Sequence, residues 1–327
     1  MNITNMSKIT QRQRVILALE RRQPDYVPTF ELAFQLTEEA FGESFHQGAE
    51  YDGLPEKDRI ELCRKNAELY LKIAERYEHS IIMIAMAPSS IFPQRSQELV
   101  WTMNFIRAAA RAKGEDYLLV THGDATFAIP EGNWLNEMIE LMADNPEKLK
   151  EKAERIVYER SGHYLFYALS GFDGFALCDD YAFNANSFFS PAQFREYVQP
   201  YLARIISAYR RLGKYVIKHT DGNIMPILDQ LVECAPHAIH SLDPQGHMDI
   251  AEVKKRYGRQ VALCGNVPCG LIQTGSESEV IESCEYSMKH GKPGGGYVFC
   301  TSNCVFKGMP LERYELVNEY WKKHRYY

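Results

Sequence analysis

Tyr215-Val216-Ile217-Lys218-His219-Thr220-Asp221-Gly222-Asn223 (YVIKHTDGN) is the stretch whose reading decides the fold. It opens on apolar and β-branched residues, becomes ionisable at His219 and Asp221, and ends on a Gly-Asn pair suited to a turn. Because alternate side chains of a strand share a face, His219 and Asp221 enter the same space. Seven further runs of this kind lie on either side of it. They are Val27–Ala33, Ser80–Met86, Tyr117–Asp124, Gly174–Tyr181, Ala238–Asp243, Val261–Val267 and Tyr297–Asn303.

Between these runs lie segments with apolar residues at three-to-four spacing, among them Arg59–Tyr77, Pro146–Leu169, Pro191–Leu212 and Ile250–Tyr257. Ser190-Pro191 and Asn145-Pro146 each place a capping side chain before a proline that suits the first helical position. Strands alternating with helices predict βα units in a parallel sheet. Eight alternations without a linker or composition shift predict an α/β fold, a (β/α)8 TIM barrel with an N-terminal helical extension at Gln11–Arg21. An open doubly wound sheet would leave similar local signals. The whole chain, 1–327, reads as a single domain.

Composition narrows the functional classes. A hydrophobic fraction of 45% and a charged fraction of 24% are those of a globular chain with a sizeable core. A net charge of −6 without a Lys/Arg block argues against nucleic acid or an anionic membrane as partner and for small molecules or another protein. No run is both apolar and long enough to span a bilayer, and the N-terminus lacks an apolar signal core, so a cytoplasmic location is expected. The eight cysteines are scattered without C-x-x-C spacing, which predicts free thiols.

The expected strands turn polar in their last residues. Glu31, His122 with Asp124, Asp179 with Asp180, His219 with Asp221, His240 with Asp243, Cys264 with Asn266 and Cys300 with Asn303 all follow this rule. In a barrel such tips converge on the C-terminal mouth, where enzymes of this fold carry out chemistry. Any single strand-end Asp also serves as a cap or turn former. The His219/Asp221 pair could bind a metal, relay a proton, or be a structural His–Asp contact. Of Asp179 and Asp180, one is expected in the mouth, where it could act as an acid or orient a substrate, and the other toward the helices. Gly294-Gly295-Gly296 precedes a strand, the wrong end for a phosphate loop, and reads as a tight turn.

Several of these segments together resemble the uroporphyrinogen-decarboxylase superfamily. They are Arg12-Gln13-Arg14-Val15 with Pro24-Asp25-Tyr26-Val27-Pro28, then Asp179-Asp180-Tyr181 with Ser190-Pro191, the HTDGN motif, Gly265-Asn266-Val267, and Asn303 with Pro310-Leu311-Glu312 and Tyr314. The likeness runs nearly end to end. Decarboxylases of that superfamily carry an arginine-rich segment after the first strand, whereas Phe30-Glu31-Leu32-Ala33-Phe34-Gln35 here has an acid and no cation. A substrate with many carboxylates would be repelled.

The resemblance therefore points to the corrinoid-dependent methyltransferase branch. Thiol-methylating relatives bind zinc through His-x-Cys on the fifth strand and Cys on the eighth. This chain has His219-Thr220-Asp221 for the pair and Asn303, followed by Cys304, at the eighth. A His/Asp/Asn set suits proton delivery or a harder Lewis acid better than thiol activation. The expectation is a methyl-donor-side enzyme, of O-demethylase type, that passes a methyl group between a small molecule and the corrinoid of a partner protein. The chain lacks the D-x-H-x-x-G corrinoid signature. Expected catalytic residues are His219, Asp221, Asp180 and Glu31; expected substrate contacts are His122, Asp179, Tyr181, His240, Asn266 and Asn303; expected ligands of a zinc ion are His219, Asp221 and Cys264. Alternatives are a decarboxylase or lyase acting on a smaller substrate, thiol methylation from a methylcobamide, and a barrel that binds without catalysis.

Overall fold

The computed structural model describes residues 9–85, 96–123 and 126–327. The expected Asp124, Met86 and the loop at 90–93 lie outside the described residues. A parallel sheet runs in sequence order through β1 (Ile81–Ile84), β2 (Leu118–His122), β3 (Gly174–Leu177), β4 (Tyr215–His219), β5 (Ala238–His240), β6 (Ala262–Val267) and β7 (Tyr297–Thr301). Each of these is the core of a run expected from the sequence, and helices cross over between them, as parallel pairing requires.

Among the described residues the ladder has seven strands, not eight. The first expected strand, Val27–Ala33, forms only isolated bridges, Thr29 with Phe299 and Phe34 with Val305. It nevertheless lies between the two edges of the sheet: Phe299 N–H donates to the Pro28 carbonyl at 2.9 Å and Ser80 N–H to the Thr29 carbonyl at 2.7 Å. Pro28 has no N–H to give a ladder. Further along, the Thr301 N–H turns to the Glu31 carboxylate instead of to a backbone carbonyl. The segment is thus an irregular stave of a TIM-like architecture.

Strand alternation divides the core in two. Leu118, Val120, Ala176, Ile217, Ala238 and Cys264 face an inner cluster, while Leu119, Phe175, Leu177, Val216 and Ile239 pack outward under the helices. Val15, Ala18 and Leu19 of the helix Gln11–Leu19 join the inner cluster and so close the N-terminal end of the sheet. Arg14 of that helix is fully buried, donates to both oxygens of Asp25 at 2.6 and 2.8 Å and lies 3.7 Å over the Tyr26 ring, so this opening motif is structural. The opposite, C-terminal end is left for polar groups.

The expected caps are present: Ser190 accepts from Gln193 N–H in a capping box and Asn145 accepts from Lys148 N–H. The expected helix 191–212 is broken into Pro191–Tyr197 and Gln199–Arg211, because Pro200 cannot donate to the preceding turn. No helix of the described residues is long and apolar enough to cross a membrane.

At β6, Gly265 adopts φ +141°, and a Cβ there would come within 2.4 Å of the Ser241 carbonyl oxygen. Gly265→Ala is expected to lower stability by at least about 2 kcal/mol through that collision and the disallowed φ. Urea unfolding midpoints measure it, and an unchanged midpoint would show that the β5–β6 approach is not as tight as described.

Candidate functional site

His219 and His240 are register partners on β4 and β5, and both follow inward-facing residues, Ile217 and Ala238. Parity therefore brings both imidazoles to the C-terminal end of the interior. Their Nδ1 atoms lie 2.8 Å apart. Two facing ring nitrogens can bond only if one donates and the other accepts. Burial holds His240 down at about 4 and His219 well below its ordinary range, with His240, Lys218 and His122 adding to the effect, so both are neutral at pH 7.

The remaining contact assigns the protons. His240 Nε2 faces the Thr301 carbonyl oxygen at 3.3 Å, an atom that only accepts. His240 Nε2 therefore carries its hydrogen and its Nδ1 is the bare acceptor. His219 must then donate from Nδ1, which leaves its Nε2 lone pair uncovered. That atom faces Asp221 Oδ1 at 3.8 Å.

Asp221 is fixed on several sides. Ser241 Oγ donates to its Oδ1 at 2.8 Å, Asn303 Nδ2 donates to its Oδ2, and its own N–H donates to Asp180 Oδ1 at 2.9 Å. Burial, and then the neighbouring Asp180 charge, push the Asp221 carboxyl up to about 7. Asp180, His219 and Asp221 each offer a ligand atom, all within 4.8 Å of one another, which makes a cluster able to hold a metal ion. Asp180 stands with the pair where Cys264 was expected: Cys264 is fully buried in the inner apolar cluster. The reason is depth, since Cys264 lies three residues before Val267, the end of its strand.

Other expected residues divide. His122 lines a cavity of about 700 Å³ together with Glu31, Leu32, Phe34, His79 and Met83. Asn303 and His240 join the cluster as described. Tyr181 does not: it is fully buried against the helices, with its hydroxyl on that of Thr126 and its ring on the edge of Phe194. Asp179 accepts from Thr126 N–H at 2.9 Å and lies 3.7 Å from Arg160. Asn266 accepts from Ser287 of the helix Glu277–Gly291 and donates to the Leu242 carbonyl, so the Gly265 backbone turns it out of the mouth, away from the face of Cys264.

Residues the tip rule missed complete the site. Lys218, on the opposite face from His219 and fully buried, donates to the carbonyls of Leu177 at 3.1 Å, Asp179 at 2.6 Å and His219 at 2.6 Å, stitching the ends of β3 and β4. Its ammonium lies 4.4 Å from the Tyr181 ring centroid. The lysine within the KHTD stretch was the available signal. Glu31, which the tip rule named and placed in the mouth, is instead buried on the outer side of its stave, where Thr301 Oγ1 donates to it at 2.5 Å and Tyr314 also hydrogen-bonds it. Tyr314 and His79 come from distant segments that carry no periodic mark of a site.

The uroporphyrinogen decarboxylase (URO-D) family model matches residues 128–324, more than half of the chain, and the chain belongs to that family. A methyltransferase from Methanosarcina mazei superposes with a TM-score of 0.71 at 17% identity, covering 97% of this chain and 99% of its own. The two share their fold from end to end. A proposed vitamin-B12-independent methionine synthase from Listeria monocytogenes superposes with a TM-score of 0.49 at 9% identity over 90% of this chain and 97% of its own. No curated protein sequence matches.

Glu31 yields a pH test. Burial pushes its carboxyl up to about 8 from an ordinary 4.5, against the pull of Thr301 and Tyr314. A raised carboxyl favours the folded state fully below the ordinary value and loses that contribution as pH rises through about 8, at no more than about 1.4 kcal/mol per pH unit. Glu31→Gln is expected to gain on the wild type steadily from about pH 5 to about pH 9, read from unfolding midpoints. Parallel curves would show that Glu31 is not held neutral.

Proposed function

We propose that the chain is a methyltransferase component that moves a methyl group between a small-molecule donor, a methyl ether in the O-demethylase manner, and the corrinoid of a separate partner protein. The observation that carries this reading is the bare Nε2 of His219, aimed by His240 at two carboxylates inside a URO-D fold. Membership of the family supplies the scaffold. The structural likeness to a protein named as a methyltransferase supports the reaction class. The cavity favours an uncharged donor over a polycarboxylate: among the described residues that line it, Lys307 is the sole lysine or arginine, and it pairs with Glu38 at 3.8 Å.

The donor set of the cluster, one imidazole nitrogen and two carboxylates, fits a divalent cation of the zinc type. His219, Asp221 and Asp180 would hold it, and a bound cation would supply Lewis-acid polarisation of the oxygen that leaves the methyl group. The chain's own groups set the stage for that chemistry. His240 fixes the His219 ring through its tautomer, in the manner of an outer-shell partner to a ligating histidine. Ser241 and Asn303 hold the Asp221 oxygens, and Asp180 is pinned by the Asp221 N–H. The buried Lys218 ammonium balances part of the negative charge from behind. The cluster and the stave work within a single domain spanning residues 1–327.

The experiment supplies methyl ethers and reduced cobalamin to the protein after chelation and after zinc readdition, and follows formation of methylcobalamin. Wild type is expected to transfer the methyl group and to regain activity with metal. His219→Ala and Asp221→Ala are expected to lose about 10²-fold or more in rate while unfolding cooperatively. Full activity of either variant, or failure of every methyl donor alongside decarboxylation of a small acid, would overturn the reading.

A further inference from the structure

The mouth cluster and the Glu31 stave are joined by one residue. Thr301 accepts His240 Nε2–H on its carbonyl, while its hydroxyl donates to Glu31 at 2.5 Å and its N–H points at both Glu31 oxygens at 3.3 and 3.4 Å. Behind Glu31 stands Tyr314 of the helix Leu311–His324, whose hydroxyl bonds the Glu31 carboxyl and lies 3.1 Å from His79 Nε2. Burial pushes His79 down to about 3, so its ring is neutral, and Tyr314 is pushed well above the ordinary range, so its hydroxyl keeps its proton. Cys269, Cys300 and Cys304 also face Glu31; burial raises their thiols, so they stay uncharged and add no compensating cation.

This arrangement has a directional consequence. On the protein side the Glu31 oxygens meet hydrogen donors: Thr301 N–H, Thr301 O–H and Tyr314 O–H. A proton carried by Glu31 is therefore turned toward the remaining side, which is the cavity that Glu31 shares with His122 and His79. The same three donors suit the carboxylate that remains once the proton has gone.

We propose that Glu31 is the acid that delivers a proton from the cavity wall to the oxygen leaving the methyl donor, and that Tyr314, backed by His79, is the positioning residue that aims it. The inference rests on the methyl-transfer reading above. The balance is simple. The O–CH3 bond breaks with its electron pair left on oxygen, the methyl passes to the reduced corrinoid of the partner, the Glu31 O–H bond breaks and an O–H bond forms on the departing alcohol. Glu31 is left as a carboxylate held by Thr301 and Tyr314, and water reaching the cavity restores its proton.

Two measurements test this, and they fail independently. The first needs no turnover: difference infrared spectroscopy follows the carbonyl band of a protonated Glu31 against pH, with Glu31→Gln as the blank and 13C-labelled glutamate to confirm the band. Wild type is expected to keep the band at pH 7, and Tyr314→Phe, which removes one donor to the carboxylate, is expected to move its loss about one pH unit higher. The second compares methyl ethers whose leaving alcohols differ in acidity. Glu31→Gln is expected to lose about 10²- to 10³-fold in kcat with alkyl methyl ethers and little with a nitrophenyl methyl ether, with KM nearly unchanged. Absence of the band at pH 7, no response to Tyr314→Phe, or a loss independent of leaving-group acidity would each overturn the proposal. If wild type transfers no methyl group while the band behaves as expected, the methyl-transfer reading fails and the proton-holding geometry stands.

Discussion

The site depends on the 2.8 Å contact between two neutral imidazoles, His219 and His240. In isolation such a contact has two degenerate arrangements, with the hydrogen on either ring. The Thr301 carbonyl removes the degeneracy by occupying the one His240 nitrogen that must then be a donor. The chain of assignments runs from β7 through β5 to β4 and ends on a bare nitrogen facing two carboxylates. Three strand ends that are far apart in sequence are thereby held to one chemical state. The low polarity of the interior keeps both rings neutral, and without that neutrality the arrangement would collapse into a charged pair.

The irregular stave gives the other half of the architecture. Pro28 denies it a ladder, so the hydrogen bonds a regular strand would make to β7 are partly taken over by the Glu31 side chain. A carboxyl is consequently inserted in the wall between β7 and β1, beside a cavity that a fully paired eighth strand would narrow. Backbone irregularity and the position of a buried acid are one feature here. Lys218 shows the complementary economy: a buried cation fully engaged with carbonyls at the ends of two strands also lies close enough to lower both His219 and Asp221.

Much of this was legible from the sequence, because strand parity is a rigid rule. The apolar-then-polar runs marked all seven strands, and the same rule put His219, His240 and one of Asp179 and Asp180 on the inward face. Parity misled where the backbone leaves regular geometry. Gly265 at φ +141° turned Asn266 toward Ser287, and the end of β3 at Leu177 freed Tyr181 to pack under a helix. Cys264 was on the right face but too deep. The contacts of Thr301, Tyr314 and His79 with one another and with Glu31 arise only when β7, the last helix and the segment before β1 come together. Tyr314 stood out only as part of the family resemblance, and nothing in the local sequence distinguishes Thr301 or His79 from ordinary core residues.

The most direct test of the central geometry is 15N NMR of histidine-labelled protein at neutral pH, with His219→Asn and His240→Asn used to assign the signals. The expected result is two neutral rings of opposite tautomer: His219 protonated at Nδ1 with Nε2 bare, and His240 protonated at Nε2 with Nδ1 bare. Finding His219 protonated at Nε2, or either ring as an imidazolium at pH 7, would contradict it and take away the lone pair on which the proposed site is built.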